Sequence, residues 1–197
     1  MARQRDERID QAVLAAVIAL LREVGYPALT MEAIAQRAGT TKPAIRRRWK
    51  SQKHLVVAAL AEERARVVEI DTGCTYCDLV GHLEALRTGM ADPAFGTVLP
   101  ALMADLADDP ELRKNFLAEV WEPRREAGVV SLRKGEARGE IRPGIDIDLL
   151  LDLFAAPIVF RVLFGHRELE REFVRDVVSG VLSGVGTFDD GLCEHAG

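Results

Sequence analysis

The residues best equipped for chemistry fall into two groups. The first is Thr40, Thr41, Lys42, Pro43 and Ala44, followed by Arg46, Arg47, Arg48, Trp49, Lys50 and Lys53, a basic cluster with an indole set into it. Such a density of cations suits a polyanion. Arg makes paired hydrogen bonds to phosphate or to a guanine edge, and Lys acts as a mobile point charge. Read singly, each of these side chains is an ordinary solvated charge; their order along the chain has to decide. The second group is Cys74-x-x-Cys77 with His82 close behind, the residue types of a thiophilic metal site or a redox pair. No second CxxC follows and no strand precedes the motif, so buried or loop cysteines are the plainer reading. Cys193 makes the cysteine count odd, which argues against a disulfide framework and for a reducing compartment.

Several classes of function find no support. The chain has no P-loop, no dinucleotide-binding glycine fingerprint, no HExxH and no GxSxG, and its four histidines form no paired pattern. An enzyme is therefore not expected, nor a cofactor or a resident metal. The longest apolar runs, such as "AVLAAVIALL" at 12–21, are too short to span a bilayer, and no signal-peptide cleavage pattern follows them. The expectation is a cytoplasmic protein.

The net charge of -5 conceals a division. Residues 1–53 carry 11 Lys and Arg against 5 Asp and Glu, whereas residues 54–197 carry 15 against 26. A basic first quarter attracts phosphate, and an acidic remainder limits indiscriminate binding.

The elements that must position the basic cluster are legible from apolar spacing. Ile9, Val13, Ala16, Val17, Leu20 and Val24 recur at helical intervals, which predicts a helix over 6–24 ended by Gly25 and Pro27. Thr30 fits an N-cap for a short helix "MEAIAQRA", and Gly39 stops it. Thr40-Thr41 then opens a second short helix with Pro43 in its first turn and a narrow apolar stripe of Ala44, Ile45 and Trp49. Two short helices joined by a glycine turn, with a longer helix in front, make a helix-turn-helix unit. In such a unit Thr40, Thr41, Lys42 and Arg46 are placed for the major groove. Arg47, Lys50, Lys53 and Thr30 suit phosphate, and Pro43, Ala44 and Trp49 complete the DNA-facing set.

The segment "GYPALTMEAIAQRAGTTKPAIRRRWKSQKHLVVAAL", residues 25–60, resembles the DNA-binding segment of the TetR family of transcriptional regulators. Gly25, Tyr26, Thr30, Ile34, Ala35, Ala38, Gly39, Thr41, Lys42, Ile45, Trp49, Ser51 and Leu55 carry the match. Two departures stand out. Arg46 occupies a position where the family usually has a backbone-touching tyrosine, so it either takes over that contact or reads a base. The usual Pro-Ser-Lys reads Lys50-Ser51-Gln52 with Lys53 behind it, so the phosphate contact of that lysine falls to Lys53 or to Lys50.

The remaining two-thirds is helical in pattern, with helices expected over about 51–70, 76–90, 94–107, 110–137, 146–164 and 167–187. The fold class is all-α, with about nine helices. The expected segments are a DNA-binding unit over 1–53, a ligand-binding and dimerisation body over 54–188 and a flexible tail over 189–197. The final two helices read as apolar over much of their circumference, and the small residues Ser179, Gly180, Ser183 and Gly184 allow close approach. A homodimer is expected there through Phe160, Phe173, Val174, Val177, Val178, Val181 and Leu182, since a two-fold dimer also suits an inverted-repeat operator. The resemblance further implies a small-molecule cavity in the body, whose filling releases DNA. Phe95, Leu99, Met103, Phe116, Trp121, Arg125 and Phe154 are its candidate lining, with His82 and Glu122 as further polar groups. It thus implies a repressor with three partners: operator DNA, a second copy and an unidentified effector. The alternative is a redox- or metal-responsive DNA-binding regulator using Cys74, Cys77 and His82.

Overall fold

A computed structural model describes residues 7–64 and 70–183, and all the secondary structure among them is helical. In chain order the helices are α1 (Glu7–Val24), α2 (Met31–Arg37), α3 (Lys42–Arg46), α4 (Gln52–Arg64), α5 (Thr75–Ala91), α6 (Pro93–Gly96), α7 (Val98–Asp108) and α8 (Pro110–Phe116). A π turn (Leu117–Trp121) joins α8 to α9 (Glu122–Ala137), and α10 (Ile147–Phe164) and α11 (Arg171–Ser183) follow. With residues 110–137 taken as one rod and the single turn α6 set aside, nine rods remain among the described residues.

Caps explain where these helices begin. Thr30 Oγ1 accepts from Ala33 N at 3.2 Å and Thr41 Oγ1 from Ala44 N at 3.3 Å. Asp92, Asp109 and Asp146 do the same for α6, α8 and α10. Each satisfies an amide that the first turn leaves without a partner, at a typical worth of about 1 kcal/mol. Asp92 and Asp109 are each followed by a proline, whose missing N–H costs nothing at that position.

One apolar core runs from Val13 in α1 to Val178 in α11. Within it α1 packs on α2, α4 and α6, while α5 is the centre of the body, touching α9, α10 and α11. The bridge is α4: it lies on α1 in the head and on α8 and the π turn in the body. The π turn has a cause in the sequence. Pro123 has no N–H to donate back into the preceding turn, so the hydrogen-bond ladder widens just before it.

The structure departs from the sequence reading in three places. The expected helix over 94–107 is split, with α6 and α7 meeting at Thr97. The last helix starts at Arg171 rather than 167, because residues 165–170 form a connector held by Arg161 Nη1, which donates to the Glu168 carbonyl at 2.8 Å. Finally, α11 is not apolar all round. Val174, Val177 and Val178 converge on one buried face by their i, i+3, i+4 spacing, leaving Arg171, Glu172, Arg175 and Asp176 exposed. The expectations for 65–69, 184–187 and the 189–197 tail, Cys193 included, lie outside the described residues. Among the described residues, no helix is long and apolar enough to cross a membrane.

Candidate functional site

The helix-turn-helix is built as its residues require. Gly39 takes a left-handed φ of 61°, which a side chain would resist, and Thr40 N then donates to the Ala35 carbonyl at 3.0 Å to close the turn. This sets α3 beside α2 with fully buried Ile45 facing the core. Only five residues of α3 are helical, so Thr41, Lys42, Pro43 and Ala44 form its leading end and Arg46 its trailing end. Thr30, Thr41, Pro43, Arg46, Arg47, Lys50 and Lys53 are exposed; Thr40, Lys42, Ala44 and Trp49 are half-buried.

The cations of this cluster differ in what they already touch. The guanidinium groups of Arg46 and Arg47 make no hydrogen bond or ion pair among the described residues. Lys42 Nζ reaches Glu32 on α2 at 2.7 Å. Lys50 is paired with Glu111 of α8 and Lys53 with Asp105 of α7, so two lysines of the basic cluster are held by the body. Those hydrogen bonds raise the pKa of both ammonium groups. Asp105 also accepts from Tyr26 Oη at 2.5 Å. Burial alone would raise the Asp105 pKa; the hydrogen bonds from Lys53 and Tyr26 lower it instead. Arg48 is a structural residue: it bonds Asp10 on α1 and donates to the Ala44 carbonyl at 2.9 Å.

The body holds a cavity of about 160 Å³ between α5, α9 and α10. Leu79, His82, Leu83 and Leu86 of α5 form one wall and Leu151, Phe154 and Ala155 of α10 another. Trp121 from the π turn and Arg124, Arg125 and Gly128 of α9 close it. A Cβ on Gly128 would stand 2.7 Å from Leu151 Cδ2, so the glycine permits the close α9–α10 approach that shapes this space. His82 Nε2 lies 2.9 Å from Ser131 Oγ, and burial lowers its pKa against an opposing pull from Asp78. Arg125 Nη1 donates to Asp152 at 2.7 Å and Nη2 to Asp148 at 2.9 Å, strapping α9 to α10.

Of the residues singled out in sequence for a ligand, Trp121, Arg125, Phe154 and His82 come together here. Phe95, Leu99 and Phe116 are buried in α6, α7 and α8, away from this cavity, while Met103 and Glu122 are exposed. Sequence reasoning missed Arg124, Gly128 and the leucines of α5. The signal for Arg124 was its register: it lies midway between Val120 and Gly128, both buried. Of the residues named for a dimer, Val174, Val177 and Val178 are buried in the protomer, and Phe173 lies under the Arg161 guanidinium at 3.3 Å. Val181 and Leu182 are half-buried, and Phe160 is 54% exposed. Exposed Leu149, Leu153 and Phe164 share a stripe of α10 with Phe160.

Cys74, Cys77 and His82 are not brought together as a metal site. No three metal-ligating side chains converge among the described residues. Cys74 stands at the N-cap of α5 and Cys77 is exposed in its first turn, whereas His82 faces Ser131 and the cavity.

Two family models match the chain. The one described as "Bacterial regulatory proteins, tetR family" matches residues 13–59, and "Tetracyclin repressor-like, C-terminal domain" matches residues 69–181. The chain is 32% identical to the HTH-type transcriptional regulator YdeS of Bacillus subtilis (strain 168) over 168 residues, which is 85% of this chain and 84% of that one. Among solved structures, the TetR family transcription regulator SCO0332 superposes with a TM-score of 0.75 at 27% identity, covering 91% of this chain and 99% of that one. The transcriptional regulator FadR of Bacillus subtilis, in complex with stearoyl-CoA, shares the fold with a TM-score of 0.71 at 17% identity, over 89% of this chain and 99% of that one.

Proposed function

This chain belongs to the TetR family of DNA-binding transcriptional regulators, and from that membership we propose that it is a cytoplasmic repressor. It occupies an inverted-repeat operator as a homodimer and leaves when a small molecule fills the cavity of its body. Thr41, Lys42, Pro43 and Ala44, at the leading end of α3, face the base edges; Arg46, Arg47, Lys50 and Lys53 hold phosphate. The observation that carries this reading is the position of the π turn. It touches α4, the bridge to the DNA-binding head, and it also places Trp121 in the cavity. A ligand that moves Trp121 therefore pushes on the rod from which the head hangs.

The second copy covers α10. Leu149, Leu153, Phe160 and Phe164 are 46–67% exposed along one stripe, more contiguous apolar surface than a lone helix keeps in water. Gly180, beside exposed Ser179 and Ser183 on α11, has open space where a Cβ would be, leaving room for close approach by a neighbour. Two-fold pairing there sets two recognition helices for two half-sites.

Sequencing the DNA that co-purifies with the protein locates the operator, and deleting the gene then tests the sign. Transcription beside the bound site rises in the deletion strain if the protein represses; a fall would contradict repression.

A further inference from the structure

Arg124 is a charged residue that the DNA-binding reading leaves unused. Its register with Val120 and Gly128 turns it toward α5 and α10, where it lines the cavity. Its Nε is closed off from solvent with no acceptor, and among the described residues its guanidinium makes no hydrogen bond or ion pair. Burial lowers its pKa, yet a guanidinium remains charged at neutral pH. An unpaired, half-buried cation with one nitrogen shut off from water is costly, and chains normally supply a counter-ion. The other polar groups on the cavity do not. Arg125 is a second cation, already paired with Asp148 and Asp152. His82 faces Ser131, and its lowered pKa keeps it neutral. The buried carboxylate Asp78 is not among the lining residues; Thr72 before α5 donates to its Oδ1 from both backbone and hydroxyl, and its buried Oδ2 has no partner among the described residues. The rest of the space is walled by apolar groups, chiefly the leucines, Ile70, Trp121 and Phe154, and its volume of about 160 Å³ is close to that of a cavity able to take one benzene ring.

We propose that the cavity binds a ring-sized organic carboxylate, whose carboxylate accepts hydrogen bonds from Arg124 and whose apolar part lies against α5 and α10. This rests on reading the cavity as the effector site and adds the chemical class of the effector. A neutral compound of the same shape leaves the guanidinium uncompensated. A ligand as long as stearoyl-CoA exceeds the volume.

Calorimetric titration of the full chain with matched pairs tests the assignment: benzoate against benzamide, phenylacetate against phenylacetamide, and 4-methylvalerate against its amide. At least one carboxylate is expected to bind, roughly ten- to a hundredfold more tightly than its amide, the range for a charge-assisted hydrogen bond. Arg124→Met should erase that preference, while Arg124→Lys should keep part of it. The unliganded Arg124→Met chain should melt no lower than the native one, which separates lost recognition from lost folding. Amides binding as tightly as acids, no member of either set binding at millimolar concentration, or an Arg124→Met variant that still prefers acids would each overturn the proposal. The same titrations on operator-bound protein separate the two readings. A carboxylate that binds and leaves DNA in place contradicts effector release alone. A neutral member that displaces DNA without any acid preference contradicts the carboxylate site alone.

Discussion

Arg124 and Arg125 are neighbours on α9 in opposite surroundings: Arg125 donates to Asp152 at 2.7 Å and Asp148 at 2.9 Å, whereas Arg124 has a buried Nε and no partner among the described residues. Their replacement should therefore have opposite consequences for stability. Arg125→Met removes a strap between α9 and α10 and should cost about 1 kcal/mol, because both carboxylates are largely exposed. Arg124→Met replaces an uncompensated, half-buried charge with an apolar side chain of similar length and should be neutral or stabilising. Urea denaturation of the two variants checks the contrast; equal losses would contradict it.

From the shortness of α3 we propose that Arg46 holds phosphate. Base edges are reached from the leading end of a recognition helix, and Arg46 stands at the trailing end of a five-residue one. Arg46→Ala and Arg47→Ala should each weaken all operator variants alike and reduce the salt dependence of binding by about one phosphate contact. A shift in preferred sequence for Arg46→Ala, measured on a panel of single-base operator variants, would assign that residue to base reading instead.

Asp105 holds two groups of the DNA-binding head, Tyr26 and Lys53. Asp105→Asn frees Lys53 for phosphate and weakens the tie between head and body. Operator affinity, read by fluorescence anisotropy, should rise about two- to fivefold, the range of one exposed ion pair. The gain should vanish in the Asp105→Asn/Lys53→Met double variant.

Burial lowers the pKa of His82 in the folded chain, while the unfolded residue takes up its proton near about 6.5. Between those two values the unfolded state binds more protons, so stability rises with pH. The His82 contribution is present in full above about 6.5 and is lost as pH falls from there through the lower folded pKa. His82→Gln should flatten that part of the acid side of the stability curve. A native chain whose stability is level between pH 7 and 5, with and without the substitution, would contradict this account.

The sequence revealed the head more fully than the body, for a physical reason. Thr30, Gly39, Thr41 and Pro43 act through local backbone geometry, so the turn and the caps can be read without knowing what packs on them. The cavity depends on which apolar residues fail to touch one another across three helices. Phe95, Leu99 and Phe116 have the same character as Phe154 and the same helical spacing, yet they fill the core while Phe154 borders a space. Trp121 was legible as a candidate, but the π turn that aims it follows from Pro123, whose effect on the ladder is not a matter of periodicity. The valines of α11 misled for a related reason. A run rich in Val suggests a helix buried all round, but their spacing gathers them on one face.

The central claim, a two-fold DNA reader, is tested most directly by selection from a random duplex pool at moderate salt with the purified chain. An enriched inverted repeat, bound by two copies and lost with Arg46→Ala/Arg47→Ala, is the predicted result. Recovery of a pool no different from the input, or of sites without two-fold symmetry, would contradict it.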